Sequence, residues 1–323
     1  MKFVVLGAGA IGAYVGAALD RGGADVTLIA RGAHLAAMAD RGVQVLSPRG
    51  DFTAHPPVTD DFGAVAGADV VFVGLKAYSL PEIAPKLGPL LAPGAAVIWA
   101  QNGIPWWYQS GLESVDPGGV IASAIPSQHN VGCVVYCSTQ IVEPGVIKHI
   151  EGTRFTIGEP DGALSARCEA ISAAFKAGGL RAPVETRLAD QIWLKLTGNV
   201  AFNPVTALTR ATLGQLGTEP AMVDLLRAIF GECAQVADRF GVKFPVSLDR
   251  RLEAGLAVGE HKTSMLQDLE AGKRLEVGCM TGAVAELATR LDIDVPHIRA
   301  IHACVGLLDK LNRPQEGPAT PVR

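Results

Sequence analysis

The sequence predicts an α/β chain: a doubly wound, mainly parallel sheet with an antiparallel extension, followed by an all-helical C-terminal domain. Three observations predict it. The first half alternates short apolar, β-branched runs with helical stretches, the pattern of parallel strands joined by crossover helices. Residues 87–112 and 117–142 contain no Asp, Glu, Lys or Arg. Pro and Gly interrupt both stretches, so they read as strands buried on both faces and not as membrane spans. Beyond Pro183 almost everything has a period of 3.6 residues. With 323 residues the chain has room for about two domains, each with its own core, and the change of character divides it into 1–183 and 184–323.

Taken in order, Phe3-Val4-Val5-Leu6 is the first strand. Gly7-Ala8-Gly9-Ala10-Ile11-Gly12 follows at once, and Ala13–Leu19 has helical spacing. A strand, a Gly-x-Gly-x-x-Gly turn and a helix form a Rossmann-type dinucleotide site. Gly7 allows the tight turn, Gly9 lets a diphosphate approach the backbone, and Gly12 lets helix and strand pack closely. The diphosphate then rests on the N–H groups of Ala10, Ile11 and Gly12, at the positive end of the helix dipole. Strands at Val26–Ala30, Val43–Leu46, Val70–Leu75 and Ala95–Ala100 continue the sheet. Val120–Ile125, Val131–Ser138, Val146–Ile150 and Phe155–Gly158 follow with little helix between them and read as the antiparallel extension. Ala163–Ala177 is a helix, and 222–240, 248–258 and 277–291 are the clearest helices of the second domain. The tail, Pro314 to Arg323, carries three prolines and few apolar residues, which predicts mobility.

Composition narrows the function. Hydrophobic residues make up 49% and charged residues 19% of the chain, with a net charge of −4. That is a well-buried globular protein with no basic footprint for nucleic acid or an anionic membrane. A first strand starting at residue 2 or 3 leaves no room for a signal peptide, so the cytoplasm is expected. The six cysteines show no Cys-x-x-Cys metal or redox spacing and read as buried reduced thiols.

The second strand is followed by Arg31, where an NAD-specific fold carries Asp or Glu for the ribose 2′-hydroxyl. A carboxylate would repel a 2′-phosphate, whereas a guanidinium grips one with paired hydrogen bonds, which favours NADP(H). The competing reading makes Arg31 a solvated residue at the start of the next helix. Lys76 and Asn102 follow the fourth and fifth strands, at the sheet edge where the crevice of such a fold opens. Alone, each has a plainer reading: Asn102-Gly103 as a turn, Lys76 as a solvated lysine.

The segment from Asp190 to Pro204 is mostly apolar, yet Lys195 and Asn199 share a helical face, and Asn203 extends it if the helix reaches the proline. A lysine in such company either snorkels to water or has a polar role. Farther on, Ser264 with Gln267 reads as a capping box, which accounts for Ser264 without any ligand. Glu276 falls in the first turn of the helix at 277–291, where dipole complementarity accounts for it. Spacing alone does not bring Glu276 to Lys195.

Together these motifs resemble the ketopantoate reductase (2-dehydropantoate 2-reductase) family, from end to end and in order. They are the Gly7–Gly12 turn, Arg31, Leu75-Lys76-Ala77, Asn102-Gly103, Trp193-Leu194-Lys195-Leu196 with Asn199 and Asn203-Pro204, and Ser264-Met265-Leu266-Gln267-Asp268 with Glu276. The resemblance implies NADPH-dependent reduction of ketopantoate to (R)-pantoate, in pantothenate biosynthesis. Lys195 looks like the catalytic lysine and Glu276 like the substrate-contacting glutamate. Asn102, Asn199, Asn203, His261 and Ser264 would line the substrate pocket, and Lys76 would lie near the nicotinamide ribose. One position departs from the family: His261 stands where its reductases carry Asn, so a paralogue acting on another 2-oxo or D-2-hydroxy acid stays open. A non-catalytic NADP(H) sensor is the remaining alternative. Two apolar helices, 222–240 and 277–291, offer either a homodimer face or intradomain core.

Overall fold

A computed structural model describes residues 1–313. The proline-rich tail for which mobility is expected lies outside the described residues. The chain forms two compact units, Met1–Ile192 and a second beginning at Trp193.

In the first unit β1 (Lys2–Leu6) leads to α1 (Ala10–Arg21), β2 (Asp25–Ile29), α2 (Gly32–Arg41) and β3 (Val43–Leu46). The short strands β4 (Phe52–Ala54) and β5 (Val58–Thr59) precede β6 (Val70–Val73), α3 (Leu80–Leu87), β7 (Ala96–Trp99) and α4 (Val120–Ala124). Two long strands, β8 (Asn130–Glu143) and β9 (Val146–Gly158), and the helix α5 (Ala166–Ala177) complete it. All nine strands form one sheet in the order β4-β3-β9-β8-β7-β6-β1-β2-β5. The run from β8 through β7, β6, β1 and β2 to β5 is parallel. β8 and β9 are antiparallel, which is the expected extension. The central strands are apolar because helices cover both faces: Phe3, Val4, Val5, Val71, Phe72, Val73, Val97 and Ile98 are all fully buried. Beneath α1 and α5 the core closes on Phe72, Phe155 and Phe175, whose rings meet at 5.7–6.5 Å.

The sequence reading needs three corrections here. Val120–Ile125 is no strand: Val120–Ala124 is helical, started by the buried Asp116 carboxylate, which accepts the Ile121 and Ala122 N–H groups at 2.7 and 3.0 Å. An uncharged apolar run of this length has no periodicity to separate the two states. Val146–Ile150 and Phe155–Gly158 are not separate strands but parts of β9, which continues through Gly152 at φ 73°. The 277–291 helix opens as a turn of π-helix, Gly278–Gly282, before becoming α-helical.

The long helix α6 (Leu188–Thr209) leads into the second unit. There α7 (Leu213–Gly217), α8 (Pro220–Asp238), α9 (Leu248–Leu256) and α10 (Ser264–Glu270) follow. The π turn and α11 (Ala283–Arg290) come next, and then α12 (Pro296–Asn312). Trp193 stacks on Phe240 at 6.1 Å, and Phe202 meets Phe230 edge-on at 5.6 Å. Leu226, Ile229, Phe230, Cys233 and Val236 of α8 and Val284, Leu287 and Ala288 of α11 are buried within the chain itself. Among the described residues no helix is long and apolar enough to cross a membrane. Residues 181–185, where the sequence changes character, run beside β9 through parallel bridges to Arg154 and Ile157.

Candidate active site

Within the first unit the sheet order reverses at β1: β2 lies on one side of it and β6 on the other. Ligands of doubly wound sheets bind at the carboxyl ends of strands beside such a reversal. The Gly7–Gly12 turn follows β1, Arg31 follows β2, Lys76 follows β6 and Asn102 follows β7, so four adjacent parallel strands deliver the predicted cofactor residues to one edge.

The three glycines differ in surroundings as their roles require. Gly7 sits at φ 92°, and a Cβ there would lie 2.6 Å from Leu75 Cδ2. On Gly12 it would lie 2.2 Å from the Gly7 carbonyl oxygen, which is overlap. On Gly9 it meets nothing within 4 Å. The fold closes around the outer two glycines and leaves the middle one facing open space, the place a diphosphate needs. No acidic side chain occupies the first turn of α1, and the first N–H groups of a helix have no partner inside it. Arg31 is exposed at the N-terminus of α2. The Gly7–Gly12 turn fits the diphosphate of a dinucleotide.

Two residues that the sequence reading passed over support this edge. Gly74 packs against the turn, since a Cβ there would lie 2.8 Å from the Gly7 carbonyl oxygen. Gln101 donates from Nε2 to the carbonyls of Val73 at 2.8 Å and Leu75 at 3.0 Å, tying the ends of β6 and β7 together beside Lys76 and Asn102. A glycine and a glutamine directly after apolar strands were the available signals.

In the helical unit, α6 does run through Pro204 to Thr209. Lys195, Asn199 and Asn203 therefore stack at successive four-residue intervals on one face. Lys195 and Asn199 are half-buried and Asn203 is buried. The Asn203 side chain donates to the Met280 thioether at 3.6 Å. A thioether is a weak acceptor, so the amide is placed without being strongly engaged.

Glu276 is 5% exposed and immediately precedes the helical stretch that opens with the π turn. Its neighbour Leu275 donates its N–H to Asp309 of α12 at 2.7 Å, and Asn312 donates to the Lys273 carbonyl at 3.1 Å. The segment carrying Glu276 is thus fastened to α12 on both sides of Arg274.

The N-terminus of α10 differs from the sequence reading. Thr263, not Ser264, is the cap: its hydroxyl accepts the Leu266 N–H at 3.3 Å. Gln267 donates to the Lys262 carbonyl instead of completing a box. Ser264 is the exposed first residue of the helix, so capping does not account for its hydroxyl. His261 is half-buried, its carbonyl accepting the Leu213 N–H at 3.1 Å. Burial pushes the Cys168 thiol up to about 11 and raises Cys233 further, but Cys137 is half-buried and Cys304 exposed, so the reading of all six cysteines as buried thiols does not hold.

Residues 3–162 match the sequence profile described as ketopantoate reductase PanE/ApbA, and residues 187–309 match the profile described as its C-terminal part. The chain belongs to the ketopantoate reductase family. Membership makes it an NAD(P)-dependent oxidoreductase. A 2-dehydropantoate 2-reductase of Mesorhizobium japonicum is 39% identical over 94% of this chain and 97% of its own length. One from Halobacterium salinarum is 33% identical over 96% and 99%. The crystal structure of a PanE/ApbA family ketopantoate reductase from Ralstonia eutropha superposes with a TM-score of 0.86 at 29% identity, covering 97% of this chain and 99% of the other. A D-mandelate dehydrogenase crystallised with NADH and anilino(oxo)acetate superposes at 0.84 over 97% and 99% of the two chains. At 18% identity that likeness shows the fold alone.

Proposed function

We propose that this chain reduces 2-dehydropantoate to (R)-pantoate with NADPH, as a cytoplasmic step of pantothenate biosynthesis and as a homodimer. Residues 1–183 serve as the nucleotide domain and 184–323 as the substrate domain. The observation that carries the reading is the unbroken helix through Pro204, which puts Lys195, Asn199 and Asn203 on one face. Relatives named 2-dehydropantoate 2-reductase at 39% and 33% identity support the substrate.

The cofactor supplies the hydride. Gly7, Gly9, Ala10, Ile11 and Gly12 would hold its diphosphate, Arg31 its 2′-phosphate, and Lys76 and Asn102 its nicotinamide side. Lys195 faces the developing negative charge on the C2 oxygen, where an ammonium supplies both a fixed cation and the proton. Asn199, Asn203 and Ser264 bind the oxo acid through hydrogen bonds. Glu276 accepts from the 4-hydroxyl that distinguishes ketopantoate from simpler oxo acids. A substrate lacking that hydroxyl leaves a buried carboxylate short of a partner, which is a strong basis for rejection. The second reading, another 2-oxo acid as substrate, rests on His261 in place of the family asparagine.

NADPH consumption by the purified protein, measured with ketopantoate and a panel of other 2-oxo acids, tests the proposal. The expected kcat/KM for ketopantoate is about 10⁴ M⁻¹s⁻¹ or better, well above the panel. Faster turnover of an aromatic or aliphatic oxo acid would transfer the assignment to the second reading. In the same assay Arg31→Ala should erase the preference for NADPH over NADH; an unchanged preference would remove Arg31 from the 2′-phosphate site.

A further inference from the structure

The residues assigned to the oxo acid lie on separate backbone segments. α6 carries Lys195, Asn199 and Asn203, and the first residue of α10 is Ser264. A buried side-chain contact joins the two. Thr206 is 0% and Thr263 6% exposed, and their Oγ1 atoms lie 2.6 Å apart.

The proton positions in this contact follow from its neighbours. Thr206 donates to the Asn203 carbonyl at 3.0 Å. A hydroxyl has a single proton, so the Thr206 oxygen must accept from Thr263. The Thr263 oxygen in turn accepts the Leu266 N–H at 3.3 Å. The chain therefore runs one way: from the Leu266 N–H to Thr263, from Thr263 to Thr206, and from Thr206 to the backbone of Asn203. Reversing the central bond would break the bond to Asn203. The chain ends on the Asn203 carbonyl, one residue before Pro204, whose lack of an N–H removes the helical donor of the Val200 carbonyl one turn earlier. It also explains why Thr263 and not Ser264 caps α10, for the hydroxyl gripped by Thr206 is the one held in place to receive Leu266.

We propose that Thr206 is a positioning residue for oxo-acid recognition: through Thr263 it fixes the start of α10, with Ser264, against the Asn203 turn of α6. This rests on the functional reading above. Thr206→Val keeps the shape and removes the hydroxyl, and Thr206→Ser restores it. Steady-state kinetics with ketopantoate, NADPH affinity by fluorescence titration, and thermal unfolding together test the role.

The expected result for Thr206→Val is a fall in kcat/KM of about ten- to a hundredfold, mostly through KM. Its NADPH Kd should stay at the wild-type value and Thr206→Ser should recover the activity. Thr206→Cys, with its weaker donor, is read the same way should the valine variant fail to fold. Wild-type oxo-acid kinetics in a folded hydroxyl-less variant would overturn the proposal. So would parallel loss of NADPH affinity and of thermal stability, which marks an ordinary structural residue. Absence of turnover by the wild-type protein on every oxo acid would instead overturn the functional reading, and this inference with it.

Discussion

Gly9 and Gly12 lie three positions apart, and the same added methyl group would act on them in opposite ways. On Gly12 it would overlap the Gly7 carbonyl at 2.2 Å, between backbone segments that cannot yield cheaply. Gly12→Ala should cost about 3 kcal/mol or more in folding stability, read by denaturant unfolding without cofactor. On Gly9, at an ordinary φ of −76° with open space beyond, alanine should cost within about 1 kcal/mol of stability. Its NADPH affinity should nevertheless fall tenfold or more, about 1.4 kcal/mol. Lys195→Ala belongs at the same scale. If the ammonium is the proton donor, kcat should drop about 10²- to 10⁴-fold with a smaller change in KM, and a near-wild-type kcat would remove it from the chemistry. The glycine spacing and the lysine–asparagine face were legible because each is a local pattern with a physical period. The Thr263 cap was not, because Ser264 with Gln267 fits the capping-box signature and Thr263 with Leu266 does not, yet Thr206 holds the Thr263 hydroxyl from another helix.

Elements were legible where periodicity or composition was strong and obscure where neither was. α1, α6 and the apolar strands β1, β2, β3, β6 and β7 stand where the pattern puts them, whereas the apolar run at 120–125 does not. β4 and β5, three and two residues long, were missed because so short a run carries no pattern. The β8–β9 hairpin turns at Pro144-Gly145, with Gly145 at φ 82° and its N–H held by His34 Nδ1 at 2.9 Å.

One element-scale contact has a measurable pH signature. Glu159, just beyond β9, accepts from Ser165 at the start of α5 and from Arg167 Nε at 2.7 Å, while Arg167 also donates to the carbonyls of Gln128 and Asn130. Burial works against the Glu159 charge, but the Arg167 and Ser165 hydrogen bonds outweigh it and hold the carboxyl below the usual carboxylate range. A pKa depressed by folding contributes stability above the unfolded value, near ~4.3, and that stability is lost as pH falls through the folded value. Arg167→Met should therefore cost about 2–3 kcal/mol near neutral pH. That is less than the ~3–5 of a fully buried pair, because the Arg167 side chain is 34% exposed. Urea unfolding at a series of pH values should show the variant and wild-type stabilities converging below about pH 4.

At the scale of the whole molecule, the fold class and the order of α/β and helical parts were readable, because alternation and periodicity survive in one dimension. Strand order was not. Nothing local in Val43-Gln44-Val45-Leu46 says that it leaves the strands preceding it and joins the far side of the sheet. It pairs there with β4 and, in parallel, with Val146–Lys148 of β9. That pairing bears on how the chain is made. Positions 46 and 146 are a hundred residues apart, so a ribosome adding about 5–20 residues per second takes on the order of 5–20 s to synthesise the partner after the strand itself. Throughout that interval Val43 and Val45, both buried at the end, have no sheet to enter. The newborn chain carries an unpaired apolar hairpin, β3 with β4, while its cofactor edge can already assemble. For this enzyme an interval of exposure to chaperones and to aggregation falls in the first half of translation, and it closes when β9 emerges.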